Sequence, residues 1–317
     1  TKKMAAAPSW DVLGQQDDVA TKASLEFLEQ GAYKDAFSQL SQAETQLTVD
    51  RDNQDGEALK AGIKFAQMKG VLKEIEPAPY TTIDVLGKSA AQVADIMVKQ
   101  MGEKAQSGCV LVLVGLSGTG KGTTMDKLKA MLPKATTWSN GNIFRSLTLL
   151  ACQHCEKNGI DLDKLEEQLT PENLKAWMER LSFGKFNGND KWDVEISQLD
   201  GGLVYVSEVQ NSLLKEPRIS KNIPTVAKCT QGEVVLFAAD ACTRMGEDGS
   251  VVLVEGREET VNFIPTEFRF CLTMSDMQVI GKRRAVQRVV ADALKLRDKD
   301  KTSADALIEA VTKLSSS

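Results

Sequence analysis

The sequence predicts an α/β protein, a doubly wound parallel sheet preceded by an all-helical N-terminal region. From residue 109 onward, short unbroken apolar runs, CVLVLV (109–114), VVLVE (251–255) and FRFCLTM (268–274), alternate with stretches of helical periodicity. Runs without polar alternation are what strands buried on both faces of a parallel sheet require. A glycine-rich turn, GLSGTGKGTT (115–124), joins the first run to a helix. Before residue 107 the apolar residues fall at helical spacing instead.

In chain order, ASLEFLEQGAYKDAFSQLSQAETQL (23–47) reads as two helices broken at Gly31. Gly31, Tyr33, Ala36, Leu40 and Ala43 resemble the turn and second helix of a tetratricopeptide repeat, but no second copy follows, and such arrays need about three units. A helical hairpin packed on its own domain, or a hairpin that docks a partner protein, both fit residues 1–106. A third helix is expected from Glu57 to Ile75, stopped by Pro77-Ala78-Pro79, which marks a linker near 76–80. An amphipathic helix from Ser89 to Met101 leads to the first strand. Beyond it come a helix from Thr123 to Met131, a short strand ATTW (135–138) and a helix from Ile143 to Lys157. A polar stretch, a strand at 203–206 and a helical region to about Ala241 precede the second apolar strand. Helices over Ser275–Leu296 and Ser303–Leu314 close the chain. The predicted organisation is an extension over 1–106 and an α/β domain over 107–317.

A chain of 317 residues makes one large domain or two ordinary ones. With 42% hydrophobic and 26% charged residues, its composition is that of a globular protein. A net charge of -5 leaves no broad basic face for nucleic acid, though it allows a local cationic pocket for phosphates. No apolar run approaches the ~20 residues of a membrane span. The opening TKKMAAAPSW has neither an initiating Met nor a signal-peptide core, which fits a processed chain. Six cysteines, at 109, 152, 155, 229, 242 and 271, several of them in apolar runs, suit free thiols in a reducing compartment. The expected location is the cytoplasm or an organelle interior, plastid or mitochondrion. Cys152 and Cys155 have no second pair to complete a zinc site and read as small apolar residues of a helix. His154 is the only histidine and has no evident partner, which argues against triad hydrolase chemistry.

Gly115-Leu-Ser-Gly-Thr-Gly-Lys121 fits the phosphate cradle G-x-x-x-x-G-K. Its glycines let successive N–H groups converge on an anion, and the next helix adds its positive end. The candidate nucleotide-binding residues are Gly115, Ser117, Gly118, Thr119, Gly120, Lys121, Gly122, Thr123 and Thr124. Lys121 is placed to reach the terminal phosphates of ATP. The residue after the lysine is Gly122, so the hydroxyl for magnesium is expected from Thr123. Glu255, at the end of an apolar strand, is the second candidate magnesium ligand.

Five ordered blocks give residues 109–296 a resemblance to the cytidylate kinase family of P-loop nucleoside monophosphate kinases. GLSGTGKGTT is similar to the family's G-P-S-G-x-G-K-G-T. SNGNIFRSLTLLA (139–151) is similar to D-S-G-x-x-Y-R-x-x-x-x-x-A, and YVSEVQNSL (205–213) to R-T-x-E-V-x-x-x-x-S. EGREETVNFIPTEFRFCLTMS (255–275) resembles D-G-R-D-x-G-T-V-V-x-P-x-A-x-x-K-x-F-L-x-A, and GKRRAVQR (281–288) follows as the family's arginine-bearing helix does. The resemblance implies ATP and magnesium as cofactors and CMP, dCMP or UMP as acceptor. It implies catalytic roles for Lys121, Arg145 and Arg257, acceptor contacts from Asn140, Arg145, Arg257 and Glu258, and a monophosphate-binding insert at about 183–227.

The departures lie on the acceptor side. Ser139 and Asn140 stand for an aspartate and a serine, Phe144 for a tyrosine, Tyr205 for an arginine, Glu258 for an aspartate and Thr260 for a glycine. The lid is reduced to about 297–302, and no apolar strand follows it although the family has one, so four strands are expected. Lys282, Arg283 and Arg284 are candidates to replace the lost cations. Two readings stand: a magnesium-assisted kinase with an eroded acceptor site, or a nucleotide-binding pseudokinase serving as an assembly subunit through its helical extension.

Overall fold

The computed structural model describes residues 5–297 and 300–316. Three helices open the chain: α1 (Trp10–Gln15), α2 (Asp18–Leu28) and α3 (Lys34–Met68). A strand β1 (Thr81–Asp84) and helices α4 (Ala90–Met101) and α5 (Lys104–Ser107) lead to β2 (Cys109–Gly115), α6 (Lys121–Met131), β3 (Ala135–Trp138), α7 (Asn140–Lys157) and α8 (Pro171–Met178). Three strands, β4 (Leu181–Lys185), β5 (Trp192–Ser197) and β6 (Leu203–Tyr205), form a small antiparallel sheet within the expected insert, followed by α9 (Val206–Val209) and the long α10 (Pro217–Glu247). The chain ends with β7 (Val251–Glu255), α11 (Glu258–Val261), β8 (Phe268–Thr273), α12 (Gln278–Leu294) and α13 (Ser303–Ser315).

The main sheet has the order β1-β8-β2-β7-β3, and every pairing in it is parallel. The apolar runs become its centre because their side chains are buried on both faces. Val110, Val112 and Val114 of β2 enter the core shared with α7 and α10, whereas Leu111 and Leu113 enter the core shared with α4 and α6. Ser89 caps α4 in a reciprocal capping box with Gln92.

Three expectations need correction. The N-terminal region is not all-helical, and the sheet has five strands among the described residues, not four. Thr81–Asp84 pairs with Phe270–Thr273 and fills the edge beside β8, and among the described residues no strand follows the short lid. TTID is short and mostly polar because an edge strand has one neighbour and one well-buried residue, Ile83, so no apolar run announces it. The break expected between residues 47 and 57 is also absent. α3 runs unbroken for 35 residues, a rod of about 52 Å. Gly31, at φ +75°, makes the turn that sets α3 back against α2.

α3 crosses the molecule held at both ends. Its first half packs with α2, α12 and α13 in a cluster that includes Phe37, Leu40, Val286, Val289 and Leu307. Its last turns pack on α10 through Ile63, Ala66 and Val235. Gly281 of α12 permits the first contact, since a Cβ there would lie 1.9 Å from Thr45 Oγ1 and 2.2 Å from Ser41 O. Gly281→Val should therefore lower unfolding free energy by about 1–3 kcal/mol through overpacking. Urea denaturation curves superposing on wild type would show that the two helices do not meet at that distance.

Candidate functional site

β2 ends at the glycine-rich turn, and the turn is shaped by what lies against it. Gly115 (φ +141°) and Gly118 (φ +89°) have backbones closed to other residues. A Cβ would stand 2.4 Å from Leu272 O at the first and 2.6 Å from Ile280 Cγ2 at the second. Thr119 Oγ1 donates to Leu116 O at 2.8 Å and pins the turn from inside. Among the described residues, the N–H groups of Gly118, Gly120, Lys121 and Gly122 meet no protein acceptor. They are the free donors at the start of α6, where its dipole favours an anion.

Lys121 folds back over the turn, donating from Nζ to Gly115 O (2.9 Å) and Leu116 O (3.1 Å). Burial lowers its pKa, and Glu255, 4.0 Å away, opposes that. Glu255 closes β7 half exposed, with Oε2 facing Gly122. Thr123 is exposed at the start of α6, while Thr124 is buried and its N–H donates to Gly120 O. No group of three or more His, Cys, Asp or Glu is disposed to hold a metal among the described residues. A magnesium ion sharing phosphate oxygens and water needs only one or two protein ligands; of the two candidates, Glu255 lines the cavity beside this turn and Thr123 does not.

A cavity of about 660 Å³ opens from this turn along the carboxyl ends of the strands, the usual ligand crevice of an open parallel sheet. Lys121, Glu255 and Arg257 line it on one side, and the Trp138–Phe144 segment on the other. Asn140 lines it too, but its Oδ1 already accepts from Trp138 Nε1 at 2.7 Å. Arg145, one turn along α7, keeps its guanidinium beside Gly141 on the cavity wall, with Asn142 Oδ1 at 3.5 Å. Glu258 faces a second cavity of about 490 Å³, on the side of β8, which it shares with Arg257.

The residue that sequence reasoning missed is Asp52, in the middle of α3. Its side chain is 1% exposed. Oδ2 accepts the Ser117 N–H at 2.6 Å, and Oδ1 accepts Ser117 Oγ and Arg257 Nη2, each at 2.7 Å. Arg257 also donates to Asp55 Oδ2 at 3.2 Å. The available signal was the spacing Glu44, Thr48, Asp52, which continues the buried stripe of α3. It was masked by the polar composition of TVDRDNQDGE (48–57).

None of the expected substitutes for lost cations, Lys282, Arg283 and Arg284, lines the cavity beside the turn. Lys282 Nζ bonds Glu29 Oε1 at 2.6 Å, and Arg284 Nε is buried without a partner. In the short lid, Arg297 faces Asp11 at 3.6 Å and Lys301 pairs with Glu309, while residues 298 and 299 lie outside the described residues. Tyr205 sits in the small sheet, its hydroxyl between Asn187 and Glu195. Cys152 and Cys155 are buried on α7, and burial pushes the Cys152 thiol up to about 11. Neither the protein-family models nor the curated proteins contain a match to this chain.

Burial alone would raise the Asp52 pKa, but the Arg257 guanidinium and both Ser117 hydrogen bonds outweigh it and hold the carboxyl at about 2, against an ordinary 3.8. Arg51, 4.0 Å away, adds a second cation, while Asp55, across Arg257, adds a competing anion. A depressed pKa stabilises the fold above the unfolded value and loses that contribution as pH falls. We therefore expect about 2 kcal/mol to disappear between pH 4 and pH 2. Chemical denaturation across that range should show a shallower acid slope for Asp52→Asn, and identical slopes would contradict the assignment.

Proposed function

We propose that this chain is a P-loop protein of cytidylate kinase type that transfers the γ-phosphoryl group of ATP to CMP or a related nucleoside monophosphate. The observation that carries the proposal is the single cavity with Lys121 and the glycine-rich turn on one side and the Trp138–Phe144 segment on the other. A single open cleft would let donor and acceptor phosphates meet, and phosphoryl transfer depends chiefly on positioning and charge neutralisation.

In this reading the free N–H groups of Gly118, Gly120, Lys121 and Gly122 receive the donor phosphates, and Lys121 leaves its own carbonyls to follow the moving group. Arg145 and Arg257 grip the acceptor phosphate. One of its anionic oxygens attacks the γ-phosphorus, the bond from that phosphorus to the β–γ bridging oxygen breaks, and ADP departs. No general base is needed because the attacking oxygen carries no proton. Magnesium, held through Thr123 and Glu255, would neutralise phosphate charge. With Asn140 Oδ1 committed to Trp138 and Tyr205 outside the cavity lining, two expected acceptor contacts are lost, and Thr137, Ser139, Gln231 and Thr260 are the uncharged polar side chains that remain near the acceptor side.

A second reading, a nucleotide-binding pseudokinase, is favoured by the commitment of Arg257 to two carboxylates of α3. In either reading the apolar face of α1, α2 and the first half of α3 is covered by α12 and α13, and that of the last turns of α3 by α10, so a protein partner would have to use the outer face of these helices.

Calorimetry should detect Mg-ATP or Mg-ADP binding, weakened by Lys121→Ala. An ADP-release assay with a panel of monophosphates then separates the two readings. Turnover with weak discrimination among CMP, dCMP and UMP supports the kinase, and binding without turnover supports the pseudokinase. A preference on the order of 10⁴-fold for one acceptor would show a base-reading site and refute the loose selectivity expected here. Absence of any nucleotide binding refutes both readings.

A further inference from the structure

The glycine-rich turn already holds an anion, and that anion belongs to the chain itself. We infer that α3 is an internal gate: Asp52 occupies the mouth of the phosphate cradle, and nucleotide enters as this carboxylate leaves Ser117 and Arg257. The inference rests on the nucleotide-binding reading above and concerns the regulation of that same site.

The contact has the chemistry of a phosphate contact. A backbone N–H of the cradle, a hydroxyl and a guanidinium converge on one carboxylate, at 2.6 to 2.7 Å. A phosphate seated on the neighbouring N–H groups of Gly118, Gly120, Lys121 and Gly122 would bring its charge close to this carboxylate, and two anions at that range repel. Arg257, proposed to grip the acceptor, is meanwhile shared between Asp52 and Asp55. One helix thus engages both the donor cradle and the acceptor clamp.

The shape of α3 suits a gate. Its two ends are packed into apolar clusters, yet between residues 49 and 61 Asp52 alone is buried. The middle of the helix is therefore a bridge held down by two carboxylates, buried Asp52 and exposed Asp55, both on Arg257. On either side of it lie the 490 and 660 Å³ cavities, and Arg257 lines both. Release of Asp52 would join them into one cleft while the anchors at Gly281 and at the Gly62–Gln231 contact stay in place. A segment with few buried contacts opens locally at low cost. By linkage, whatever loosens the bridge must tighten nucleotide binding by the same factor.

The test is Mg-ADP calorimetry on the full chain and on D52N, whose folding is checked by thermal melting. We expect D52N to bind roughly tenfold more tightly or better, within the usual range of coupling between sites. Equal or weaker binding by folded D52N, with measurable binding by wild type, overturns the gate while leaving the nucleotide-binding reading intact. No binding by either protein overturns that reading, and the gate with it. If D52N does not fold, hydrogen exchange on wild type decides. Mg-ADP should deprotect amides 49–61 while 37–48 stay protected, and unchanged protection at 49–61 refutes the gate.

Discussion

A parallel sheet has no face it can leave to water, and most of this structure follows from that constraint. The valines of β2 need α7 and α10, and its leucines need α4 and α6. Strand β8 also needs a neighbour on its outer side, and the N-terminal region supplies it as β1. What composition suggests is an appendage is therefore partly structural: β1 and α4 belong to the sheet and its cover. Only α1–α3 lie outside that layer, and their apolar face is closed by α12 and α13, with α10 covering the last turns of α3.

The site is built where the strands end, and its electrostatics are those of a resting state. Its three principal cations are occupied in different ways. Lys121 bonds its own turn, Arg145 has a weak neutral neighbour, and Arg257 is paired with carboxylates of α3. The free N–H groups of Gly118, Gly120, Lys121 and Gly122 remain the strongest unanswered demand for negative charge. Substrate phosphates answer that demand in the proposed reaction, and the competition with Asp52 sets how readily they do so.

Legibility followed burial. CVLVLV and VVLVE were readable as strands because both of their faces are buried, and the glycine-rich turn because its backbone forbids other residues at Gly115 and Gly118. TTID escaped because an edge strand needs little apolar content. The middle of α3 escaped because helices fixed at both ends can carry a polar stretch between them. Asp52 escaped for a related reason: its partners, Ser117 and Arg257, stand 65 and 205 positions away, and no local pattern encodes such a meeting. The cavity and its candidate residues were visible as motifs, whereas the occupation of Arg257 and Asn140 depends on tertiary contacts.

The strand at the sheet's edge also has a consequence for biosynthesis. Asp84, which ends β1, receives a hydrogen bond from Ser275, 191 positions later. At a translation rate of about 5–20 residues per second, β1 emerges roughly 10–40 s before the strand it joins. Glu44 of α3 waits longer still, for Arg288, 244 positions downstream. The N-terminal third is thus made first and seated last, with the apolar side of its helices bare in the interval. A nascent chain of this design needs either a chaperone to cover that surface or a provisional fold of its own until α12 arrives.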